Sequence, residues 1–211
     1  MDFEDRKDAG VKLAQALCMQ KCKEPIVLAL PRGGLPVGYE VAKVLHCPLE
    51  VFISRKIGSP ENPEYGIGAV SEHDVFLDNT SIQELQIKPN QLDKLIEKER
   101  LEVKRRIQTY RGNRALPALQ GKDVIIVDDG LATGVTARAA ILSIKKLKPR
   151  KLFFAAPVCS YDIALTLEQM ADSVVCLLKP RYFQAVGKWY RNFNQVTDAE
   201  VLEYLRKANS S

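Results

Sequence analysis

Short, continuous apolar runs alternate along the chain with longer amphipathic segments. Each run spans three to eight residues and is rich in Val, Ile, Leu and Phe, which is typical of strands buried on both faces of a sheet. Strands are predicted at 25–30, 48–54, 75–77, 124–127, 151–158 and 173–178, and helices at 5–21, 35–45, 89–110, from 136 onward and at 162–170. This alternation predicts an α/β fold with a central parallel sheet flanked by helices.

The strand at 124–127 leads into the motif that carries the most chemistry. Two carboxylates follow where this strand would leave the sheet, and a Gly- and Thr-rich turn then precedes a helix. The motif residues are Asp128, Asp129, Gly130, Ala132, Thr133, Gly134, Val135 and Thr136. Backbone N–H groups, two hydroxyls and a helix N-terminus would meet at one point, which favours a phosphate. An acid pair beside a phosphate requires a divalent cation or sugar hydroxyls between them.

This motif resembles the phosphoribosyl pyrophosphate (PRPP) site of type I phosphoribosyltransferases. The resemblance implies Mg²⁺-dependent transfer of the 5-phosphoribosyl group from PRPP to a nitrogenous base, with release of pyrophosphate. It assigns the 5′-phosphate to 132–136, and it assigns the ribose hydroxyls to Asp128 and Asp129, directly or through Mg²⁺ and water. Hypoxanthine–guanine enzymes carry a general-base Asp where this chain has Ala132, and Glu64 is a candidate substitute.

A second glycine-rich turn follows the strand at 25–30. Gly33 and Gly34 allow a close approach of backbone to a ligand, and Arg32 adds a fixed positive charge. The turn resembles the pyrophosphate-binding loop of the same superfamily, in the Arg-Gly-Gly form of xanthine–guanine enzymes. The alternative is an ordinary strand–helix turn with packing glycines. The resemblance also assigns Arg55 and Lys56 to pyrophosphate, and it makes Asp128, Asp129 and Arg32 the catalytic set.

Two segments are predicted to cover this site. Glycines and prolines interrupt any regular period over 58–74, which predicts a flexible loop. The loop is acidic, unlike the orotate-type pattern, so its contact with pyrophosphate stays open. The aromatic tail, residues 181–193, loosely resembles the segment that covers the base in hypoxanthine–guanine enzymes, which is called the hood. Phe183 and Trp189 are its candidates for stacking on the base. Equally, these aromatic residues could serve only to pack the C-terminal segment against the rest of the fold. We expect one domain over 1–211, with a core at about 24–180 and a hood from 1–23 and 181–211.

Bulk composition narrows the functional classes. The chain has 211 residues, 46% of them hydrophobic and 27% charged, which is typical of a soluble globular domain. A net charge of +5 suits a small anionic substrate and makes nucleic acid an improbable partner. We expect no membrane association, because no apolar run approaches the roughly 20 residues of a membrane span. Five scattered cysteines and an N-terminus without a secretory pattern predict free thiols in a reduced, cytoplasmic protein.

Two classes of function stay open at this level. One is a phosphoribosyltransferase that uses PRPP and a nucleobase-like acceptor, and the family suggests a homodimer. The other is a non-catalytic regulator that keeps the fold as a PRPP or nucleotide sensor and binds RNA. A regulator of that kind would need a concentrated basic face, whereas the Lys and Arg residues here are interspersed with acids. Neither the acceptor base nor the presence of activity follows from the sequence.

Overall fold

The computed structural model describes residues 2–63, 65–112 and 114–210. The strands are β1 (Ile26–Ala29), β2 (Leu49–Val51), β3 (Ser54–Gly58), β4 (Gly66–Ser71), β5 (Val75–Leu77), β6 (Asp123–Val127), β7 (Lys151–Val158) and β8 (Ser173–Leu178). The helices are α1 (Arg6–Cys18), α2 (Gly34–Leu45), α3 (Asn79–Glu84), α4 (Pro89–Arg111), α5 (Val135–Lys145), α6 (Tyr161–Glu168) and α7 (Asp198–Asn209), with a 3-10 turn at Val186–Trp189. In the described part of the chain, no helix has the length and apolar character that crossing a membrane requires.

The central sheet has five parallel strands in the order β2-β1-β6-β7-β8. Side chains alternate between its two faces, and each face has its own core. Val27, Ile125 and Phe153 lie in the core shared with α1, α2 and α7, and Leu28 and Ile126 lie in the core shared with α5 and α6. The predicted fold class, a parallel sheet flanked by helices, is confirmed.

The terminal helices belong to the body of the fold. Leu13 and Leu17 of α1 and Val201 and Leu205 of α7 are buried in the same core as β1, β6 and β7. The apolar stripes of these two helices pack against the sheet, and the assignment of 1–23 and 181–211 to a hood stays a prediction. Helix α7 was not predicted at all. The remaining tail segment forms a small aromatic cluster beside the carboxyl ends of the strands.

A second, antiparallel sheet of three strands, β3-β4-β5, replaces much of the predicted flexible loop. The prediction of an irregular segment over 58–74 is wrong for Gly66–Ser71, which form β4. Small residues obscured this strand in the sequence. Gly68 is one of them, because a Cβ there would lie 2.4 Å from the carbonyl oxygen of Phe76. The predicted strand at 48–54 is also interrupted, since β2 ends at Val51 and β3 begins at Ser54.

Glu64, named above as a candidate base, falls in the connection between β3 and β4 and outside the described residues. The flexibility of this connection stays a prediction.

The prediction of five free thiols is wrong. Cys159, at the end of β7, forms a disulfide with Cys176 in β8, while Cys18, Cys22 and Cys47 are free.

Candidate active site

The acid pair lies at the carboxyl edge of the central sheet. Strand β6 ends at Val127, and the backbone N–H of Asp128 still donates to the carbonyl oxygen of Ala155 on β7 at 3.2 Å. The Asp128 carboxylate then accepts a hydrogen bond from the backbone N–H of Asp129 at 2.9 Å. The carbonyl oxygen of Asp129 accepts the hydroxyl of Tyr190 at 2.5 Å. The backbone of both acids is thus fixed by neighbouring strands and by the tail.

The glycine turn after β1 contacts this acid pair directly. Strand β1 is the neighbour of β6, with Ala29 opposite Val127, so the turns that follow the two strands begin side by side. A Cβ at Gly33 would lie 2.0 Å from Oδ2 of Asp129, and one at Gly34 would lie 2.7 Å from the carbonyl oxygen of Val127. Only glycine fits at either position. The peptide bond between Pro31 and Arg32 is cis.

The turn after β6, residues 132–136, is where the sequence predicts that a phosphate binds, and it is called the phosphate seat below. Gly134 is the N-terminal cap residue of α5 and has a φ of +66°, which glycine adopts without strain. A Cβ there would lie 2.5 Å from Cγ2 of Ile163 on α6, so packing requires glycine independently of any ligand. Ala132 and Thr133 are exposed and Thr136 is half-buried. The backbone and hydroxyls of this turn are accessible at the start of an 11-residue helix.

The predicted basic residues pair with other acids. Arg32 lies 3.6 Å from a carboxylate oxygen of Asp198, at the start of α7, and Arg55 donates to Glu99 of α4 at 2.9 Å. In the chain as described, no ion pair joins either arginine to the acid pair. Lys56 lies closer to the phosphate seat. A Cβ built on Gly66 would lie 3.2 Å from the Lys56 stem and 3.0 Å from the Val135 side chain at the start of α5.

Arg6 is a site residue that the sequence analysis missed. Its Nε donates to Oδ2 of Asp129 at 2.7 Å, and its Nη1 donates to the carbonyl oxygen of Asn194 at 2.7 Å. The guanidinium also lies 3.8 Å from the centre of the Phe193 ring. Arg6 and Asp129 are 123 residues apart, so no local pattern connects them. The sequence carries no signal for this contact beyond the place of Arg6 in the helix predicted at 5–21.

The electrostatics of the acid pair reflect its partial burial. Burial, followed by the charge of Asp129, raises the pKa of Asp128 well above its usual range. Burial also raises the pKa of Asp129, although Arg6 opposes that effect. Burial and the nearby carboxylates raise the pKa of Tyr190 above its ordinary value, so its hydroxyl stays protonated as the donor to Asp129. The site therefore disfavours two uncompensated negative charges.

The aromatic tail lies next to the acid pair. Tyr190 is buried between Phe3 and Phe193, at ring-centroid distances of 5.3 and 5.0 Å. The two candidates for base stacking, Phe183 and Trp189, lie nearby, and their half-buried rings face each other at 6.3 Å and 24°. Stacking of these rings on a base stays a prediction.

The acid pair is also the candidate metal site. Within residues 2–63, 65–112 and 114–210, no group of three or more His, Cys, Asp or Glu side chains is arranged to hold a metal ion. Two carboxylates alone fit a cation that keeps most of its water, as Mg²⁺ does when it binds together with substrate phosphates. Asp128 and Asp129 therefore fit Mg²⁺ only as a partial ligand set, with the rest supplied by water and substrate.

Comparisons with known proteins agree with this arrangement. Residues 3–185 match the family model described as "Phosphoribosyl transferase domain". The Mycobacterium tuberculosis protein named "Putative phosphoribosyl transferase Rv0571c" is 41% identical over 208 residues, which cover 98% of this chain and 47% of that protein. The chain thus spans about half the length of the curated relatives it matches.

Solved structures show the same architecture. TT1426 from Thermus thermophilus is 38% identical, with a TM-score of 0.83 over 98% of this chain and 99% of that one. The AQ2163 protein from Aquifex aeolicus, 15% identical, shares the fold alone, with a TM-score of 0.53 over 86% of this chain and 78% of that one. The motif after β6, the parallel sheet and the match over residues 3–185 lead to one conclusion: the chain belongs to the phosphoribosyltransferase domain family.

Proposed function

We propose that this protein is a Mg²⁺-dependent phosphoribosyltransferase that transfers the 5-phosphoribosyl group from PRPP to a nitrogenous base and releases pyrophosphate. One observation carries the proposal. The glycine turn after β1 touches the acid pair after β6, with the Cβ position of Gly33 only 2.0 Å from Asp129. A phosphate seat, two carboxylates and a second glycine turn are thereby joined in one site. PRPP has a phosphate, a diol and a diphosphate in a comparable order.

Each part of the site then has a role. The backbone and hydroxyls from Ala132 to Thr136, at the start of α5, bind the 5′-phosphate. Asp128 and Asp129 face the ribose, where their negative charge stabilises the positive charge that develops on the sugar ring as pyrophosphate leaves. The backbone of Gly33 and Gly34 approaches the leaving pyrophosphate. These roles require positioning and electrostatics only, which suits a transfer through an oxocarbenium-like state.

Cationic groups complete the pyrophosphate end in this proposal. Arg32 is about a third exposed and pairs with Asp198 at a relatively long 3.6 Å, so its side chain is able to turn toward a bound diphosphate. Lys56 and Arg55 both lie on β3; the Lys56 stem lies near the Gly66 position that also approaches Val135 of α5, and Arg55 contacts Glu99. Asp128 and Asp129 would hold Mg²⁺ together with water and substrate, and the ion would supply positive charge that offsets the charge of the diphosphate. We expect Phe183 and Trp189 to contact the acceptor base.

A non-catalytic sensor is the second candidate, and two observations favour it. Arg6 occupies Oδ2 of Asp129, and Ala132 stands where some relatives carry a general base. A sensor needs to bind PRPP without promoting departure of pyrophosphate. The two Mycobacterium tuberculosis relatives are about twice as long as this chain, so a function that depends on a further domain is compatible with either candidate.

The decisive experiment measures PRPP binding and pyrophosphate release separately. Calorimetry with PRPP and Mg²⁺ gives the affinity. A coupled assay gives pyrophosphate release with a panel of purine, pyrimidine and pyridine bases. Release with at least one base supports the transferase. Micromolar PRPP binding without release for any base would establish the sensor instead, and absence of PRPP binding would contradict both. Sedimentation analysis in the same buffer tests the expected homodimer.

A further inference from the structure

The two acids of the pair have different surroundings. Asp129 is held on three sides: Arg6 contacts its carboxylate, Tyr190 contacts its carbonyl oxygen, and the Gly33 backbone packs against the carboxylate. The hydrogen bond found for the carboxylate of Asp128 comes from the neighbouring backbone N–H of Asp129. The pair is therefore asymmetric, because a cation engages the carboxylate of Asp129, whereas no ion pair to Asp128 is found among the described residues.

Arg6 is a fixed cation. Its side chain is only 11% exposed, and its guanidinium is bounded by Asp129, the Asn194 carbonyl oxygen and the Phe193 ring. The segment that carries it is anchored as well, because the N–H of Phe3 donates to the carbonyl oxygen of Trp189 at 3.1 Å. An arginine held by stacking and two hydrogen bonds has little freedom to leave, and it neutralises one negative charge permanently.

We infer that Arg6 is a positioning residue that neutralises Asp129 and leaves Asp128 as the single carboxylate for metal or ribose. A bare pair of carboxylates would collect free divalent cations, whereas a pair with a net charge of −1 attracts them weakly. The metal then enters the site already bound to the diphosphate of the substrate. The identity of that substrate rests on the proposed function, while the charge arrangement rests on the structure alone.

The test is binding of Mn²⁺, a paramagnetic substitute for Mg²⁺, measured without PRPP by electron paramagnetic resonance. A pH of about 8, well above the ordinary pKa of a carboxyl group, favours the ionised form of the acid pair. We expect wild type to bind no Mn²⁺ at submillimolar concentrations, and to bind it once inorganic pyrophosphate is added. Arg6→Gln should bind free Mn²⁺ at least about tenfold more tightly than wild type, because a partly buried charge is removed next to the acids.

Two variants separate the charge of Arg6 from general effects. Arg6→Lys retains the charge and should bind Mn²⁺ as weakly as wild type. Lys12→Gln removes a cation from the same helix, where Lys12 pairs with Asp8, and should also behave like wild type. Adding Asp128→Asn to Arg6→Gln should abolish the gained affinity, because Asp128 is the carboxylate that would bind the ion.

Three results would overturn the inference. Submillimolar binding of free Mn²⁺ by wild type would do so without any variant. So would wild-type Mn²⁺ affinity in Arg6→Gln, provided that the emission of the single tryptophan, Trp189, shows the tail in place. Equal gains in Arg6→Lys and Arg6→Gln would exclude charge as the cause. None of these measurements requires turnover, so a failure of the proposed transferase activity would leave the inference intact.

Discussion

Strand β6 carries acids at both of its ends, and the two ends behave differently. At the amino end, Asp123 is fully buried, accepts the backbone N–H of Lys23 at 2.7 Å and forms an ion pair with Arg150. At the carboxyl end, Asp128 and Asp129 lie against a glycine turn, and burial raises the pKa of both carboxyl groups. The same strand thus holds one acid sealed by protein groups and two acids at a surface open to ligand.

The difference shows that burial of an acid is a poor guide to function by itself. Asp123 is the most buried of the three, yet its partners tie β6 to the segments that precede β1 and β7. The acids at the other end lie where two strand-to-helix turns meet, and ligands of parallel sheets bind at that edge. The edge of the sheet at which an acid lies therefore separates the candidate binding acids from the structural one.

The double change Asp128→Asn plus Asp129→Asn should have the largest effect. Asn retains the volume and removes the charge that stabilises an oxocarbenium-like state, so pyrophosphate release should fall by about 100- to 1000-fold. PRPP affinity should fall less, because the charge matters most in the transition state. Steady-state kinetics and calorimetry on the same preparations measure both. Equal losses in both quantities would contradict a catalytic role for the pair.

Asp123→Ala should lower the stability of the fold and leave the binding site unaffected. It leaves the Lys23 N–H without its acceptor and Arg150 without its partner, so the free energy of unfolding should fall by about 2–3 kcal/mol. The estimate is at the low end for a buried pair because Arg150 is 37% exposed. Urea unfolding measures the loss, and PRPP affinity of the folded variant should stay at the wild-type value. A loss of affinity would mean that the two ends of β6 are coupled.

Gly33→Ala tests the contact between the two turns. The added methyl group would lie 2.0 Å from the Asp129 carboxylate, so the turn or the acid must shift, and PRPP affinity should fall about tenfold. Gly121→Ala is the control, because a Cβ there meets nothing within 4 Å, although its φ of +78° makes the change slightly destabilising. Calorimetry on both variants decides the comparison. Similar PRPP affinities in the two variants would contradict a contact between PRPP and the glycine turn after β1.

Glu102→Gln gives the smallest effect and one that depends on pH. Hydrogen bonds from Arg105, followed by those from Arg106, lower the pKa of Glu102 to about 2 from an ordinary 4.5. A lowered pKa stabilises the fold above pH 4.5, and this contribution disappears as the pH falls toward 2. Since these side chains are partly exposed, the difference from wild type should be roughly 1 kcal/mol at pH 7.

The acid pair should have the opposite sign, because its raised pKa values favour the protonated fold. Urea unfolding of wild type and Glu102→Gln from pH 7 to pH 2 isolates the contribution of Glu102, because the acid pair is the same in both proteins. The advantage of wild type over Glu102→Gln should shrink on acidification. An advantage that grew on acidification would contradict the assignment for Glu102.

The sequence predicted the parallel sheet well, because strands buried on both faces appear as uninterrupted apolar runs. The bounds of β7 and β8 agree with the predicted 151–158 and 173–178. Strand β4 was missed for the opposite reason. Its two glycines, Gly66 and Gly68, pack closely against neighbouring residues and carry no hydrophobic pattern, so the segment resembled a loop. Helix α7 was missed although Val201 and Leu205, which are buried in the core, lie at helical spacing.

The site was predictable as far as it consists of contiguous motifs. Asp128, Asp129, Gly33 and Gly34 meet as expected, because β1 and β6 are neighbours. The partners of Arg32 and Arg55 were beyond prediction, since Asp198 and Glu99 lie on helices remote in sequence. The same holds for Arg6, and for the disulfide between Cys159 and Cys176, which depends on the pairing of β7 with β8.

The pairing of β1 with β6 has a consequence for the order of folding. It joins Ile26 to Val124, almost a hundred residues apart, whereas β6 and β7 are joined over fewer than thirty. Closing the longer loop costs about 1 kcal/mol more entropy, and contacts remote in sequence tend to form late. The chain from β6 to β8 should therefore acquire protected amides before β1 does in pulse-labelled hydrogen exchange. Early protection of β1 would contradict this order. The glycine turn proposed to bind pyrophosphate follows β1, and the phosphate seat follows β6. A nascent chain would therefore be unable to bind PRPP until β1 had paired with β6.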